Sequence, residues 1–138
     1  MKRQPFLFML LLLLVGHTSQ AHEGHDHDGP AAIQAPKGGV IKSLKKSFIE
    51  VVSKGKNIKI YIYDSEIKPK STSGFKLSAK AVLPRTKKQE PLVLTAQDTF
   101  YEASYDAKGL HRYTLELLVK DPESDGDNKL SFTIESKR

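Results

Sequence analysis

The chain has 138 residues, with 22 Lys and Arg against 16 Asp and Glu, a net charge of +6, and no cysteine or tryptophan. This length suits one domain with a single hydrophobic core. The lack of cysteine excludes disulfide bonds, thiolate metal sites and cysteine catalysis. Because the modest basic excess forms no Arg-rich or aromatic-interleaved block, we expect no nucleic-acid partner.

The first 21 residues have the pattern of a secretory signal peptide. Lys2 and Arg3 give a positive start, residues 6–15 form an unbroken apolar run, and Ala21 follows the small residue Ser19 at the spacing that signal peptidase reads. The apolar run is too short for a membrane span of about 20 residues. We therefore expect cleavage after Ala21 and a periplasmic or secreted protein with no membrane span after cleavage. The alternative is an uncleaved N-terminal anchor.

The next residues, 22–28, read HEGHDHD and contain three of the five histidines of the chain. If His22 is the mature N-terminus, its α-amine and its imidazole can chelate one ion, to which neighbouring imidazoles add nitrogen donors. Carboxylates can add oxygen ligands or nearby charge. The predicted metal ligands are His22, His25, His27, Asp26 and Asp28. Imidazole suits Cu(II) and Zn(II), so we expect a divalent metal ion, copper or zinc, bound by a flexible capture tail.

Two alternatives concern the histidines. The run 22–28 has the composition of a solvated linker as well as that of a metal-binding tract, because histidine richness alone is only a compositional signal. His111 lies at the start of a strand pattern. We expect it to be an edge or core residue and not a metal ligand.

Beyond a proline-containing linker, the chain from Lys37 onwards has the pattern of short strands separated by turn residues. Alternating apolar residues predict strands at 40–43, 48–53, 58–63, 75–83, 91–96, 99–105, 113–120 and 130–134. The second and third should pair as a hairpin through a turn at Gly55. Residues 121–128 have the acidic spacing of a calcium loop, but Phe132 stands where a bidentate Glu is required, so we expect a turn.

This pattern predicts an all-β fold, an antiparallel immunoglobulin-like β-sandwich of about seven to eight strands with a flexible His-rich N-terminal tail. The expected organisation is a signal peptide at 1–21, the His-rich tail and linker at 22–36, and the sandwich at 37–138.

Three short stretches resemble a known group of proteins. Residues 36–40 (PKGGV), 48–52 (FIEVV) and 60–64 (IYIYD) are similar to the small exported β domains found with heavy-metal efflux and resistance systems. In those domains, a His-rich leader precedes a Gly-Gly-Val strand and a strand that reads tyrosine, aliphatic, tyrosine, aspartate. The plan also resembles periplasmic copper-resistance proteins whose sandwich begins with an N-terminal histidine. The resemblance implies a periplasmic metal-handling role beside an efflux transporter or adaptor protein.

The function that we expect is therefore a non-enzymatic periplasmic metal-binding accessory or chaperone-like protein that captures a divalent metal through its tail. The alternative is a protein-interaction module of the cell envelope that binds no metal. We expect no enzyme, because no Ser/His/Asp order, paired-carboxylate motif or Gly-rich phosphate loop stands out.

Overall fold

The computed structural model describes residues 32–136, which form nine strands in two antiparallel sheets and no helix. The strands are β1 (Val40–Leu44), β2 (Ser47–Lys54), β3 (Asn57–Tyr63), β4 (Lys76–Val82), β5 (Gln89–Leu92), β6 (Thr95–Ala96), β7 (Phe100–Ser104), β8 (Arg112–Lys120) and β9 (Asp127–Glu135). Within this part of the chain, no helix is long and apolar enough to cross a membrane. The predicted signal peptide at 1–21 lies outside the described residues, and the predicted domain boundaries stay predictions.

The strand order is that of an immunoglobulin-like sandwich. The first sheet has the order β1-β2-β3-β7-β6 and the second has the order β5-β4-β8-β9. The series β2-β3-β7-β6 matches strands A-B-E-D of the immunoglobulin fold, and β4-β8-β9 matches C-F-G, with β5 beside β4 in the place of an additional C′ strand. The predicted fold class is thus confirmed, with β1 added before the A position.

The predicted hairpin through Gly55 is also confirmed, since Lys54 pairs with Asn57 across that turn. The run 91–96, predicted as one strand, instead contributes to two strands in different sheets. It ends β5 in the second sheet and forms β6 in the first. Both are edge strands, and Val93 between them is 86% exposed. The chain therefore crosses between the sheets where the sequence shows an apolar run.

Alternating side chains of both sheets meet in one core. The residues with no exposed surface include Ile49, Ile58, Ile60, Ile62, Ala81, Leu115, Leu117, Val119 and Phe132. Full burial of one such large aliphatic or aromatic side chain is worth about 1.5–3 kcal/mol. The apolar faces predicted from the sequence therefore supply the packing that holds the two sheets together.

The acidic segment after β8 forms the predicted turn, although β9 already begins at Asp127. The buried Asp121 accepts a hydrogen bond from the backbone N–H of Glu123 at 2.8 Å and one from the Ser47 hydroxyl at 3.4 Å. These contacts fix the turn and connect it to the start of β2.

Candidate functional site at the root of the tail

The predicted metal ligands His22, His25, His27, Asp26 and Asp28 lie outside the described residues, and their grouping stays a prediction. Among residues 32–136, no three His, Cys, Asp or Glu side chains form a group that could hold a metal ion. The structure does describe residues 32–39, the segment that connects the tail to the sandwich, which we call the tail root. The tail root and the residues that hold it form the candidate site.

His111, the histidine of residues 32–136, lies in the loop before β8 and is exposed. Its backbone carbonyl accepts a hydrogen bond from the N–H of Ser136 at 2.8 Å. His111 lines a surface cavity of about 200 Å³ that Asp106 and Lys108 also line. His111 is thus at the sandwich surface, at the edge of a strand and not in the core.

A buried carboxylate holds the tail root against the first sheet. Glu50 has no exposed surface. Its Oε1 accepts hydrogen bonds from the backbone N–H of Lys37 at 3.0 Å and of Gly39 at 2.8 Å. Its Oε2 accepts a hydrogen bond from the Tyr63 hydroxyl at 2.8 Å and also lies 3.2 Å from the backbone nitrogen of Lys37. Because an ionised group buried without partners costs several kcal/mol, these donors are what allow Glu50 to be there.

The strand register explains why this carboxylate faces outwards from the sandwich and is nevertheless buried. Ile49 and Val51 point into the core, so Glu50 between them points to the outer face of the first sheet. It lies directly opposite Tyr61 of β3. The tail root covers this face, and the Lys37 ammonium lies 5.6 Å from the centre of the Tyr61 ring. The segment thereby shields Glu50 from solvent.

Two adjacent glycines shape the tail root. Gly38 has φ of +74°, a left-handed conformation that favours glycine, and its N–H donates to the carbonyl of Ala35 at 3.1 Å. Glycine is required at position 39 for a different reason, because a Cβ there would overlap the carbonyl oxygen of Val51 and lie 2.8 Å from Cγ2 of Val52. The first glycine makes the turn and the second allows close approach to β2.

The hydroxyl of Tyr63 donates a hydrogen bond to the Glu50 carboxylate. Burial, the hydrogen bond to Glu50 and the charge of Glu50 raise the pKa of Tyr63 well above its usual value of about 10. The hydroxyl therefore remains protonated at neutral pH and donates continuously to Glu50. We call Glu50, Tyr63 and the amides of Lys37 and Gly39 the Glu50 anchor.

The residue after Tyr63 fixes the turn that follows β3. The Asp64 carboxylate accepts hydrogen bonds from the backbone N–H of Glu66 at 2.8 Å and of Lys68 at 2.9 Å. These contacts, the one from Lys68 foremost, lower the pKa of Asp64. The chain then returns so that Pro69 forms a bridge with Tyr63.

The three stretches that carried the sequence resemblance meet at the Glu50 anchor. Gly39 comes from the first, Glu50 from the second and Tyr63 from the third. Sequence analysis did not identify this anchor. The available signal was a carboxylate within the otherwise apolar run 48–52, which has to find partners when the strand is buried.

The anchor is a structural joint, because both oxygens of Glu50 are occupied by donors from the protein. It fixes where the chain that carries the histidines leaves the sandwich. The fold and this joint together define the protein as an immunoglobulin-like β-sandwich with an anchored N-terminal segment.

Comparison with known proteins extends this description only at the level of the fold. No family model matches the chain, and no curated protein matches it. Among solved structures, it is similar to FetP of uropathogenic E. coli strain F11, crystallised "as isolated" after recombinant expression in the periplasm of E. coli. The TM-score is 0.51 at 10% sequence identity, over 70% of this chain and 92% of the FetP chain. At this identity the likeness shows a shared fold.

Proposed function

We propose that the protein is an exported, periplasmic metal-binding accessory that captures a divalent ion, copper or zinc, through its N-terminal tail. The observation that carries the proposal is the ligand density of residues 22–28, where three histidines and three carboxylates occupy six of the seven positions. His22, His25 and His27 would supply the nitrogen donors, and Asp26 and Asp28 oxygen donors or neighbouring charge.

The Glu50 anchor supports this proposal by limiting where a captured ion can go. His22, the first of the proposed ligands, precedes the anchored Lys37 by 15 residues. A fully extended chain of that length spans about 50 Å. An ion bound by the tail would therefore stay within about 50 Å of one defined point on the sandwich.

The periplasmic location and the partner belong to the same proposal. The signal-like start of the chain supports export, and FetP, which shares the fold, was produced in the periplasm. In this proposal the protein is not an enzyme. It would carry metal to or from an efflux transporter or adaptor protein, with the sandwich as the docking domain.

The test is calorimetric titration of the exported chain with Cu(II) and Zn(II). Bound metal replaces protons on imidazoles with an unperturbed pKa of about 6.5 and on an α-amine with one near 7.7–8.0. We expect firm binding at about pH 7.5 and strong weakening at about pH 5.5, since the second lies below both of these values.

Histidine variants identify the ligands in the same assay. We expect the double variant His25→Ala/His27→Ala to lose at least about tenfold in affinity, because loss of an outer-shell partner alone costs about 10–100-fold. His111→Ala is the matched control, because this exposed histidine lies on the sandwich, and we expect it to bind as the unchanged chain does. Equal losses in both variants would contradict the proposed ligand set. Absence of binding in every variant would leave the protein-interaction module as the better account.

A further inference from the structure

A lysine-rich surface covers the outer face of the second sheet. Core residues such as Ala79, Leu117 and Val119 face inwards, so the residues between them face outwards. In the paired register, Lys80 lies beside Glu116, Ser78 beside Leu118, and Leu118 beside Lys129. We call Lys76, Lys80, Leu118, Lys120 and Lys129 the lysine face.

Two of its lysines oppose each other directly. Lys76 of β4 is the register partner of Lys120 of β8. Like charges in directly opposite positions destabilise a sheet. Asp127 is opposite Lys120 on the other side, but within residues 32–136 neither lysine has a carboxylate oxygen within the 4.0 Å of an ion pair. The pair thus offers two cations to an external anionic group.

The carboxylate at the centre of the surface is already neutralised. Glu116 forms ion pairs with Lys129 at 3.2 Å and with Lys80 at 3.3 Å. The Lys129 hydrogen bond, and then that of Lys80, lowers the pKa of Glu116. Since one carboxylate is shared by two lysines, the surface around it keeps a positive excess.

The same face has two neighbouring concavities. One, of about 320 Å³, is lined by Pro91, Glu116 and Leu118, and Leu118 is 43% exposed. The other, of about 250 Å³, is lined by Lys87 and Thr114 among others. Thr114, Glu116 and Leu118 are successive outward positions of β8, so the concavities follow one another along this strand. Lys80 and Lys129 line the first, and Lys87 and Arg112 line the second. We call this row of two concavities the groove.

The backbone at the end of this groove is strained. In the β4–β5 turn, Arg85 has φ of 64° and Lys87 has φ of 57°, both in the left-handed region that bulky residues avoid. Each such residue costs about 1–2 kcal/mol. Both side chains are exposed and cationic. The turn therefore presents two cations at the end of the groove.

From these observations we propose that the lysine face docks an extended, acidic segment of a partner protein. Carboxylates of that segment would contact Lys76 and Lys120 at one end and the basic turn at the other, and an apolar side chain would cover Leu118. The occupant is a protein segment and not a single-stranded nucleic acid, because the outward positions of these four strands carry no aromatic ring on which bases stack. This inference does not depend on metal binding.

The test is an NMR titration of the isotope-labelled exported chain with a synthetic peptide of repeated Glu-Ser-Leu-Ser units. In an extended conformation, this peptide presents alternating Glu and Leu on one side. We expect amide shifts confined to β4, β8 and the β4–β5 turn, and weaker binding as salt is raised because exposed charges are screened. A peptide in which Lys replaces Glu is the control probe, and we expect no shifts with it.

Charge-reversal variants locate the contact. Lys76→Glu/Lys120→Glu keeps a like-charged pair in the sheet while reversing its sign, and Lys120→Glu adds a like charge opposite Asp127. We therefore expect a cooperative melt at a slightly lower temperature and at least tenfold weaker peptide binding. The matched control is Lys46→Glu/Lys54→Glu, which makes the same change in net charge on exposed residues associated with the first sheet, and we expect normal binding. Equal weakening in both variants, or no shifts on the lysine face, would overturn the proposal. So would binding of phosphatidylglycerol vesicles or oligouridylate through Lys76 and Lys120 without a response to the peptide.

Discussion

A single carboxylate determines how the tail root is attached to the sandwich. Glu50 accepts hydrogen bonds from two backbone amides and one hydroxyl, and Glu50 and Tyr63 are both buried. Hydrogen bonds to a charged group contribute about 1.5–3 kcal/mol each when their partner is removed. The anchor is therefore the residue-scale feature on which the geometry of the N-terminal segment depends.

Glu50→Gln tests this feature. An amide has the same shape but no charge, so the hydrogen bonds from Lys37 and Gly39 lose their charge assistance and Tyr63 would have to accept from the NH₂ group instead of donating. We therefore expect a loss of about 1–3 kcal/mol in the free energy of unfolding. Denaturant titration measures it, with Tyr63→Phe as a companion that removes only the hydroxyl. Amide exchange at Lys37 and Gly39 should speed up in Glu50→Gln. Wild-type stability with unchanged exchange at both amides would show that the carboxylate holds nothing in place.

The two glycines of the tail root should respond differently to alanine. At Gly38 nothing lies within 4 Å of an added Cβ, so the cost is that of the left-handed backbone, about 1–2 kcal/mol. At Gly39 the added atom meets the backbone of Val51, which cannot move without disturbing β2. We expect Gly39→Ala to destabilise by about 3 kcal/mol or more, beyond the usual range of overpacking. Thermal and denaturant unfolding of both variants decide the matter, and the reverse order would contradict this explanation.

At the scale of elements, ion pairs and hydrogen bonds to carboxylates tie neighbouring strands and turns together. The Tyr105 hydroxyl, and then Lys88, lowers the pKa of Glu90 in β5, while Lys129 and Lys80 lower that of Glu116 in β8. The Lys56 ion pair lowers the pKa of Asp106. These contacts join β5 to the segment after β7, β8 to its neighbours β4 and β9, and the β2–β3 turn to the segment after β7.

These shifts give a direction for the dependence of stability on pH. A carboxyl group whose pKa is lower in the folded state stabilises the fold above its unfolded pKa, about 4.3 for Glu and 3.9 for Asp. The contribution is lost as pH falls through the lower folded value. We expect the denaturation midpoint to be level near neutral pH and to fall progressively below about pH 4.5. A midpoint that rose on acidification would contradict the pKa directions.

The strands also differ in how well the sequence alone predicts them. The core strands were predictable because apolar residues occupy every second position of β3 and β8, with Leu118 as an additional exposed apolar residue in β8. Residues 91–96 were not, since β5 and β6 are short edge strands whose pairing depends on distant partners in two sheets. The Glu50 anchor was not predicted for a similar reason, because the donors to Glu50 are 11 and 13 residues away from it along the chain. Local periodicity carries no information about such contacts.

At the scale of the whole molecule, the proposed metal-binding tail and the folded sandwich are separate parts of the chain. The sandwich has its own apolar core and a Glu50 anchor that fixes the tail root. The proposed metal ligands lie upstream of that point. The tail would then bind metal equally well whether the sandwich is folded or unfolded. Metal should therefore not raise the melting temperature of the chain.

The central claim is that metal is captured by residues 22–28, and truncation tests it most directly. Copper(II) and zinc(II) titrations of the exported chain should be compared with those of a chain that begins at Gly29, which retains every residue of the Glu50 anchor. We predict that the truncated chain keeps its cooperative melt and loses most of its metal binding. Unchanged affinity in the truncated chain would contradict the account and move the metal site into the sandwich.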